Sequence, residues 1–236
     1  MGVDMKRLNS FQVAFFCNNI SFGNKLDYAS KIIKATDEVF DGEPAILPIP
    51  VNAPPEIPRI VVRSKDKKFI CNTSVNRVDL IFNPKNDTER DLSSIQNNYF
   101  DVLIQIINYL NEEYRVKIFR MGIVANIIIE LEESSNSFIV KKYLKDNSLI
   151  SNTYITQLHF LNKIKLLNRY EANRWLRLIT LRKLDDTEND KALNITIDTN
   201  TLQDENHDFD RELVTMIFKD ALKDMQDLIS KHFEGA

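Results

Sequence analysis

Residues 59–82, RIVVRSKDKKFICNTSVNRVDLIF, decide the fold because they contain three short apolar runs in close succession. The runs at 59–63, 67–73 and 75–82 are rich in β-branched and aromatic residues, and a polar turn at 64–66 separates the first two. Connections this short join antiparallel neighbours, since a parallel pair needs a crossover of a dozen residues or more. The stretch therefore predicts an antiparallel hairpin followed by a third strand.

The flanking segments complete a first structural half. An aromatic run at 11–17 predicts a strand, and apolar residues at helical spacing predict an amphipathic helix over 24–40 with Asn24 as its N-cap. Residues 43–58 hold six of the seven prolines, which predicts an extended connector because proline fixes φ and lacks an amide donor. The apolar residues between these prolines suggest that the connector packs along a surface. A long helix over 95–113 closes this half.

The second half repeats this order. The run at 115–131 is rich in β-branched residues, and Gly122 inside it predicts a bulge or bend. The segments that follow are a helix at 136–145, strands at 153–168, 174–184 and 192–199, and an amphipathic helix at 209–233. The sequence thus predicts an α+β fold of antiparallel sheet with helices on one side. Its two β-α-β-β-β-α halves, 1–113 and 114–236, are offset by about 115 residues and pack as one globular unit.

Composition limits the functional classes. The chain has 236 residues and a formal net charge of −3, which excludes a protein that is a polycation along its whole length but not a local basic patch. Cys17 and Cys71 lack CxxC spacing and read as buried small hydrophobes in a reducing compartment. Neither an apolar signal-peptide core nor a membrane-spanning run occurs, so we expect a cytoplasmic protein without membrane contact.

No catalytic, cofactor or metal motif is recognisable. The five glycines are too dispersed for a phosphate-binding loop, and the sequence contains no GxSxG elbow. The three histidines lack metal-ligand spacing. We expect His159 to be a core or half-buried residue, and His207 to lie in a solvated acidic loop at 204–208. We therefore predict no catalytic residue, no cofactor and no metal, although a site assembled from dispersed residues stays open.

One segment carries a family resemblance. Residues 120–127, RMGIVANI, resemble the R-x-G-hydrophobic-x-x-N stretch of a sporadically distributed, uncharacterised prokaryotic protein family of similar length. The proline-rich segment 53–58, the late strand 193–198 and the terminal helix are similar to the same family, so the likeness covers most of the chain. Family members often carry an arginine and an aromatic residue just before the asparagine, where this chain has Val124 and Ala125. The resemblance implies a prokaryotic protein with a similar fold and carries over no established activity.

The strongest positive signal is a basic segment with one tryptophan between 163 and 183. On a pleated strand, Trp175, Arg177 and Lys183 point to one face and Arg174 and Arg182 to the other. A sheet face that carries Lys163, Lys165, Arg177 and an exposed Trp175 could contact phosphates and stack a base. Alternatively, the tryptophan is a core residue and the cations are ordinary solvent-facing positions with acidic neighbours. The candidate nucleic-acid residues are Lys163, Lys165, Arg174, Trp175, Arg177 and Arg182.

Two functional hypotheses follow. The first is a non-catalytic binding or assembly protein that acts through a homo-oligomeric or protein-partner interface, formed by a sheet face or by the long helices. The alternative is a nucleic-acid-binding protein that uses the basic strand face at 163–183.

Overall fold

A computed structural model describes residues 6–144, 156–181, 191–203 and 209–233. Its nine strands form one antiparallel sheet, and the chain is α+β, as predicted. The strands are β1 (Lys6–Cys17), β2 (Ala45–Ile46), β3 (Ile60–Arg63), β4 (Phe69–Thr73), β5 (Arg77–Phe82), β6 (Ile118–Glu130), β7 (Gln157–Leu166), β8 (Tyr170–Leu181) and β9 (Ala192–Thr201). The helices of the described residues are α1 (Lys25–Ala35), α2 (Ile95–Asn98), α3 (Phe100–Tyr114), α4 (Ser135–Tyr143) and α5 (Arg211–Phe233).

The strand order is mirrored about the centre of the sheet. It runs β2-β3-β4-β5-β1-β6-β9-β8-β7, so that β1 and β6 pair in the middle and each half adds its remaining strands outward in reverse chain order. The short β2 in the proline-rich segment is an extra strand of the first half. Both halves share one continuous sheet, an arrangement that the strand order along the chain left open. The division at residue 113 stays a prediction.

The helices pack on one face of the sheet. Tyr99, at the junction of α2 and α3, packs edge-on against Phe11 of β1, with ring centroids 5.2 Å apart. It also stacks on Phe218 of α5 at 6.1 Å, which joins both halves in one aromatic core. Helix α1 adds Tyr28 beside Tyr109 of α3 at 5.6 Å. No helix in the described ranges is both long and apolar enough to cross a membrane.

Two predicted helices differ in length from the structure. Helix α1 begins after the expected Asn24 cap, whose side chain accepts from Leu26 N and Asp27 N, but it ends at Ala35 rather than 40. Asp37 and Glu38 adopt left-handed φ values of 49° and 59°, which a continuing helix cannot contain. The predicted helix at 95–113 is interrupted at Tyr99, the residue whose side chain turns into the core.

The predicted bulge at Gly122 is wrong. Gly122 pairs in register with Ala14 of β1 and with Asn200 of β9, whereas the irregularities of the β1–β6 ladder lie at Leu8/Ser10 and Phe16/Cys17. A Cβ on Gly122 would come within 2.8 Å of Asn200 Oδ1. The glycine therefore admits a neighbouring side chain within a regular stretch of the ladder.

The proline-rich connector is held by its backbone. Leu47 N donates to Arg59 O at 2.9 Å, and Val75 N donates to Pro55 O at 3.0 Å. The expected apolar packing along a surface is partial, because Val51 is fully exposed, Ile46 and Ile57 are 38% and 37% exposed, and Leu47 and Ile49 are half-buried. Ala53 N and Ile57 N also donate to backbone carbonyls, so backbone hydrogen bonds and partly buried apolar side chains together hold the segment.

Candidate binding face

One face of the sheet carries no described helix, and we call it the uncovered face. Successive strand residues point to opposite faces. Because Phe11, Val13 and Phe15 of β1 point into the core, Gln12, Ala14 and Phe16 lie on the uncovered face. The strand pairings extend this face across the sheet to Arg77 and Asp79 of β5, Arg120, Gly122, Val124 and Asn126 of β6, Asp198 and Asn200 of β9, Trp175 and Arg177 of β8, and Lys163 and Lys165 of β7.

On the part of this face that the first half forms, the carboxylate of Asp79 holds two neighbouring side chains. Arg77 donates from Nε and Nη2 to Asp79 Oδ1 at 2.9 and 2.7 Å. Gln12 Nε2 donates to the same oxygen at 2.7 Å, across the β1–β5 pairing. Both donors converge on one oxygen, so Asp79 holds the arginine and the amide in fixed orientations.

A second network of hydrogen-bonded polar side chains crosses the β6–β9 pairing. Arg120 Nη2 donates to Asn200 Oδ1 at 3.0 Å, and Asn200 Nδ2 donates to Asp198 Oδ1. Burial raises the pKa of the Asp198 carboxyl, against the opposing effects of the Asn200 hydrogen bond and the charges of Arg177, Arg120 and Arg77. Three arginines from three strands therefore act on one carboxyl group.

Phe16 connects the two networks of polar side chains. Its ring lies 4.2 Å from the guanidinium carbon of Arg120 and 4.9 Å from that of Arg77, so one aromatic side chain orients two cations. Arg120 Nε is buried and has no hydrogen-bond partner among the described residues. Next to them, Ala14 and Gly122 face each other across β1 and β6, and these small residues form a low floor at the centre of the sheet.

The R-x-G-hydrophobic-x-x-N stretch lies on this face. Arg120, Gly122 and Asn126 are separated by even numbers of residues, which places all three on one side of β6. Asn126 donates to Ser10 Oγ at 2.9 Å and accepts from Thr196 Oγ1 at 2.8 Å, so it links β1 and β9 across β6. The even spacing was the sequence signal for this central cluster, and our sequence reasoning did not use it.

The structure brings together four of the six predicted nucleic-acid residues. Lys163, Lys165, Trp175 and Arg177 share the uncovered face, and Trp175 is 40% exposed, so its reading as a core residue is wrong. Arg174 lies on the opposite, helix-covered face, where Nη1 pairs with Asp224 of α5 at 2.5 Å. Because its neighbours alternate along the strand, Arg174 cannot join them. Arg182 lies outside the described residues.

The histidine predictions have different outcomes. His159 is exposed opposite Arg177, so the expected core or half-buried environment is wrong. It lies on the uncovered face near the sheet edge, away from the described helices. The acidic loop with His207 lies outside the described residues.

Charge is unevenly distributed over the molecule. The described strand positions of the uncovered face hold seven basic and four acidic side chains, in a chain whose net charge is −3. The basic ones are Arg7, Arg63, Arg77, Arg120, Lys163, Lys165 and Arg177, and the acidic ones are Asp79, Glu130, Glu171 and Asp198. The uncovered face is therefore formally positive on a negative protein.

The lysines of β7 also have a structural explanation, because they protect an edge of the sheet. β7 is an end strand of the sheet order and pairs only with β8 among the described strands. Lysines on such a strand discourage edge-to-edge association, since a second chain would have to bury their charges. Glu171 lies opposite Lys165 and offsets part of that charge.

The described residues offer little for nucleophilic or metal chemistry. Cys17 and Cys71 are buried, and desolvation raises the pKa of each thiol to about 12. In the ranges that the structure covers, no three His, Cys, Asp or Glu side chains are grouped so that they could hold a metal ion.

Comparison with protein-family models and with curated proteins finds no match to this chain.

Proposed function

We propose that this protein is a non-catalytic binding protein that engages a macromolecular partner through the uncovered face. The observation that carries the proposal is a nine-stranded sheet with its described helices on one side. An antiparallel sheet can leave one face to water, so lack of cover alone is not sufficient. Two further observations support a binding role. Trp175 is 40% exposed beside Leu161, which is 51% exposed, and leaving these apolar side chains in water costs free energy. Phe16 also holds arginine side chains in place on this face.

The charge of the face bears on the identity of the partner. A second copy docked face to face would bring two positive surfaces together, and like charges across an interface are unfavourable. The β7 edge leaves ten residues without a second described neighbour strand, but its lysines oppose edge-to-edge pairing with a second copy. A different, anionic partner fits the uncovered face better.

Nucleic acid is the second candidate, favoured by the grouping of Lys163, Lys165, Trp175 and Arg177 on one surface. The sequence suggested two hypotheses. A protein interface requires only the uncovered face or the helices, whereas nucleic-acid binding requires those four side chains on the same surface.

Size-exclusion chromatography with light scattering distinguishes self-assembly from nucleic-acid binding. Absorbance is read at 260 and 280 nm, at low and high salt. A protein-only peak at a multiple of 27.5 kDa supports self-assembly. Excess absorbance at 260 nm that salt removes supports nucleic acid, because counterion release makes such complexes salt-sensitive.

Substitutions then test the face itself. Trp175→Ala, on the uncovered face, should weaken capture of the partner, while Met216→Ala, at an exposed apolar position on α5, should not. Equal capture by Trp175→Ala and wild type, with both proteins folded, would argue against the uncovered face as the binding surface.

A further inference from the structure

We propose that the partner of the uncovered face is a single-stranded nucleic acid that crosses the sheet, with its phosphates on two groups of cations and a base stacked on Trp175. This inference rests on the proposed function and names the partner of the same surface. The edge group is Lys163, Lys165 and Arg177. The central group is Arg77 and Arg120.

Charge segregation is the first support. With seven basic and four acidic side chains on the uncovered face, the rest of the chain holds 24 basic and 30 acidic residues. A phosphate backbone is the polyanion that such a positive strip on a negative protein would attract. The edge and central groups come from both halves of the chain, so a bound strand would cross the β1–β6 pairing.

The central arginines are oriented before any partner arrives. Asp79 engages Nε and Nη2 of Arg77, and Asn200 engages Nη2 of Arg120. Phe16 holds both guanidinium groups by its ring. Fixing long side chains in advance lowers the entropic cost of a phosphate contact. These side chains were not among the residues predicted from the sequence.

Trp175 supplies the stacking surface. It is the single tryptophan of the chain and is 40% exposed, with Leu161 opposite it on β7 and Asp198 opposite it on β9. An exposed indole between two strands of a sheet offers a π-face to an unpaired base of any identity. Phe16 has a different role, because its ring already packs with two guanidinium groups.

Amide side chains favour nucleic acid over an acidic protein segment. A carboxylate-rich segment needs only donors, whereas base edges present donors and acceptors together, and an Asn or Gln amide matches both. The uncovered face holds seven such side chains, of which Gln12, Asn126 and Asn200 bond within the sheet. The other four, which are placed to meet a base, are Asn72, Gln157, Asn173 and Asn194. The described residues place no helix on this face that could enter a duplex groove, so the face suits splayed, unpaired bases better than a duplex.

Fluorescence anisotropy with labelled 20-nucleotide oligo-dT and oligo-rU tests the inference, with a duplex of equal length and polyglutamate as competitors. Both single strands should bind and the duplex should compete poorly. Preference for oligo-rU would assign RNA, and preference for oligo-dT would assign DNA. Stacking on Trp175 should also quench its intrinsic fluorescence, an unambiguous signal because no other tryptophan is present.

Variants locate the contacts. Trp175→Ala should weaken binding by about five- to 150-fold, the range measured for losing one stacked base. The double variant Lys163→Gln/Arg177→Gln should lower the slope of log K against log salt by about 1.4. Its matched control is Lys34→Gln/Lys223→Gln, which removes two exposed cations from α1 and α5 and should change neither quantity.

Arg120→Gln tests the central group, and a melting curve checks that the variant is folded. If Arg120→Gln folds and binds like wild type, the bound nucleic acid does not cross the centre of the sheet. That result would overturn the proposed role of the central group. If no oligonucleotide binds but polyglutamate does, and Arg177→Gln abolishes that binding, the nucleic-acid inference fails while the proposed binding face survives. If the uncovered-face variants leave all partner capture unchanged, both fail.

Discussion

Replacing Tyr99 by phenylalanine tests how the helix layer is joined to the sheet. The Tyr99 hydroxyl is buried, donates to Leu80 O at 2.7 Å and accepts from Val13 N at 3.0 Å, so it touches both β5 and β1. Phenylalanine keeps the ring contacts with Phe11 and Phe218. It leaves one buried carbonyl and one buried amide without this partner, at a cost of about 1–3 kcal/mol. For a chain of this size that corresponds to a melting temperature lower by roughly 2–12 °C.

Urea unfolding followed by circular dichroism measures this loss as a lower midpoint with an unchanged slope. The matched control is Tyr143→Phe, because the Tyr143 hydroxyl is buried and bonds to no other residue in the described ranges. Removing that hydroxyl should be neutral or stabilising, since an unpaired buried polar group costs free energy. Equal destabilisation by the two variants would refute the reasoning, because it would show that the loss does not depend on the hydrogen bonds.

Three further predictions concern the uncovered face and the thiols. Because burial raises the pKa of Asp198, its ionised form opposes folding above the ordinary carboxyl range. Asp198→Asn should therefore melt higher than wild type at pH 7, with the difference shrinking towards pH 3. Gly122→Ala should displace Asn200, whose Oδ1 a Cβ would approach to 2.8 Å, and weaken oligonucleotide binding in anisotropy titrations. Cys17 and Cys71 should react with a thiol reagent only on unfolding, since burial raises each pKa to about 12, and rapid labelling of the native protein would contradict this.

Local patterns carried much of the fold. Alternating and β-branched runs located the strands, and the Asn24 cap was correctly placed. The short connections in 59–82 required antiparallel neighbours. These features depend on interactions between residues close in the chain, which is why a single sequence reveals them. The early end of α1 was missed because two left-handed residues outweighed an apolar pattern that continued beyond them.

The candidate site depended on long-range pairing. Arg77 and Arg120 meet on Phe16 only because β1 lies between β5 and β6, and no local pattern specifies that neighbour. Alternation did place Arg174 and Arg177 on opposite faces of β8, but it could not say which face the helices would cover. Arg174 pairs with Asp224 while Arg177 stays on the uncovered face because α5 packs on one side of the sheet.

The sequence by itself therefore determined most of the strands and helices, their order along the chain and the relative sides of neighbouring strand residues, because these follow from local sterics and period. Only the tertiary structure decided that β1 and β6 join the halves in one sheet and that one face remains uncovered. It also decided that a central arginine cluster belongs to the same surface as Trp175. Those outcomes depend on packing between segments far apart in the chain, where the burial of apolar area by the helices selects the covered face.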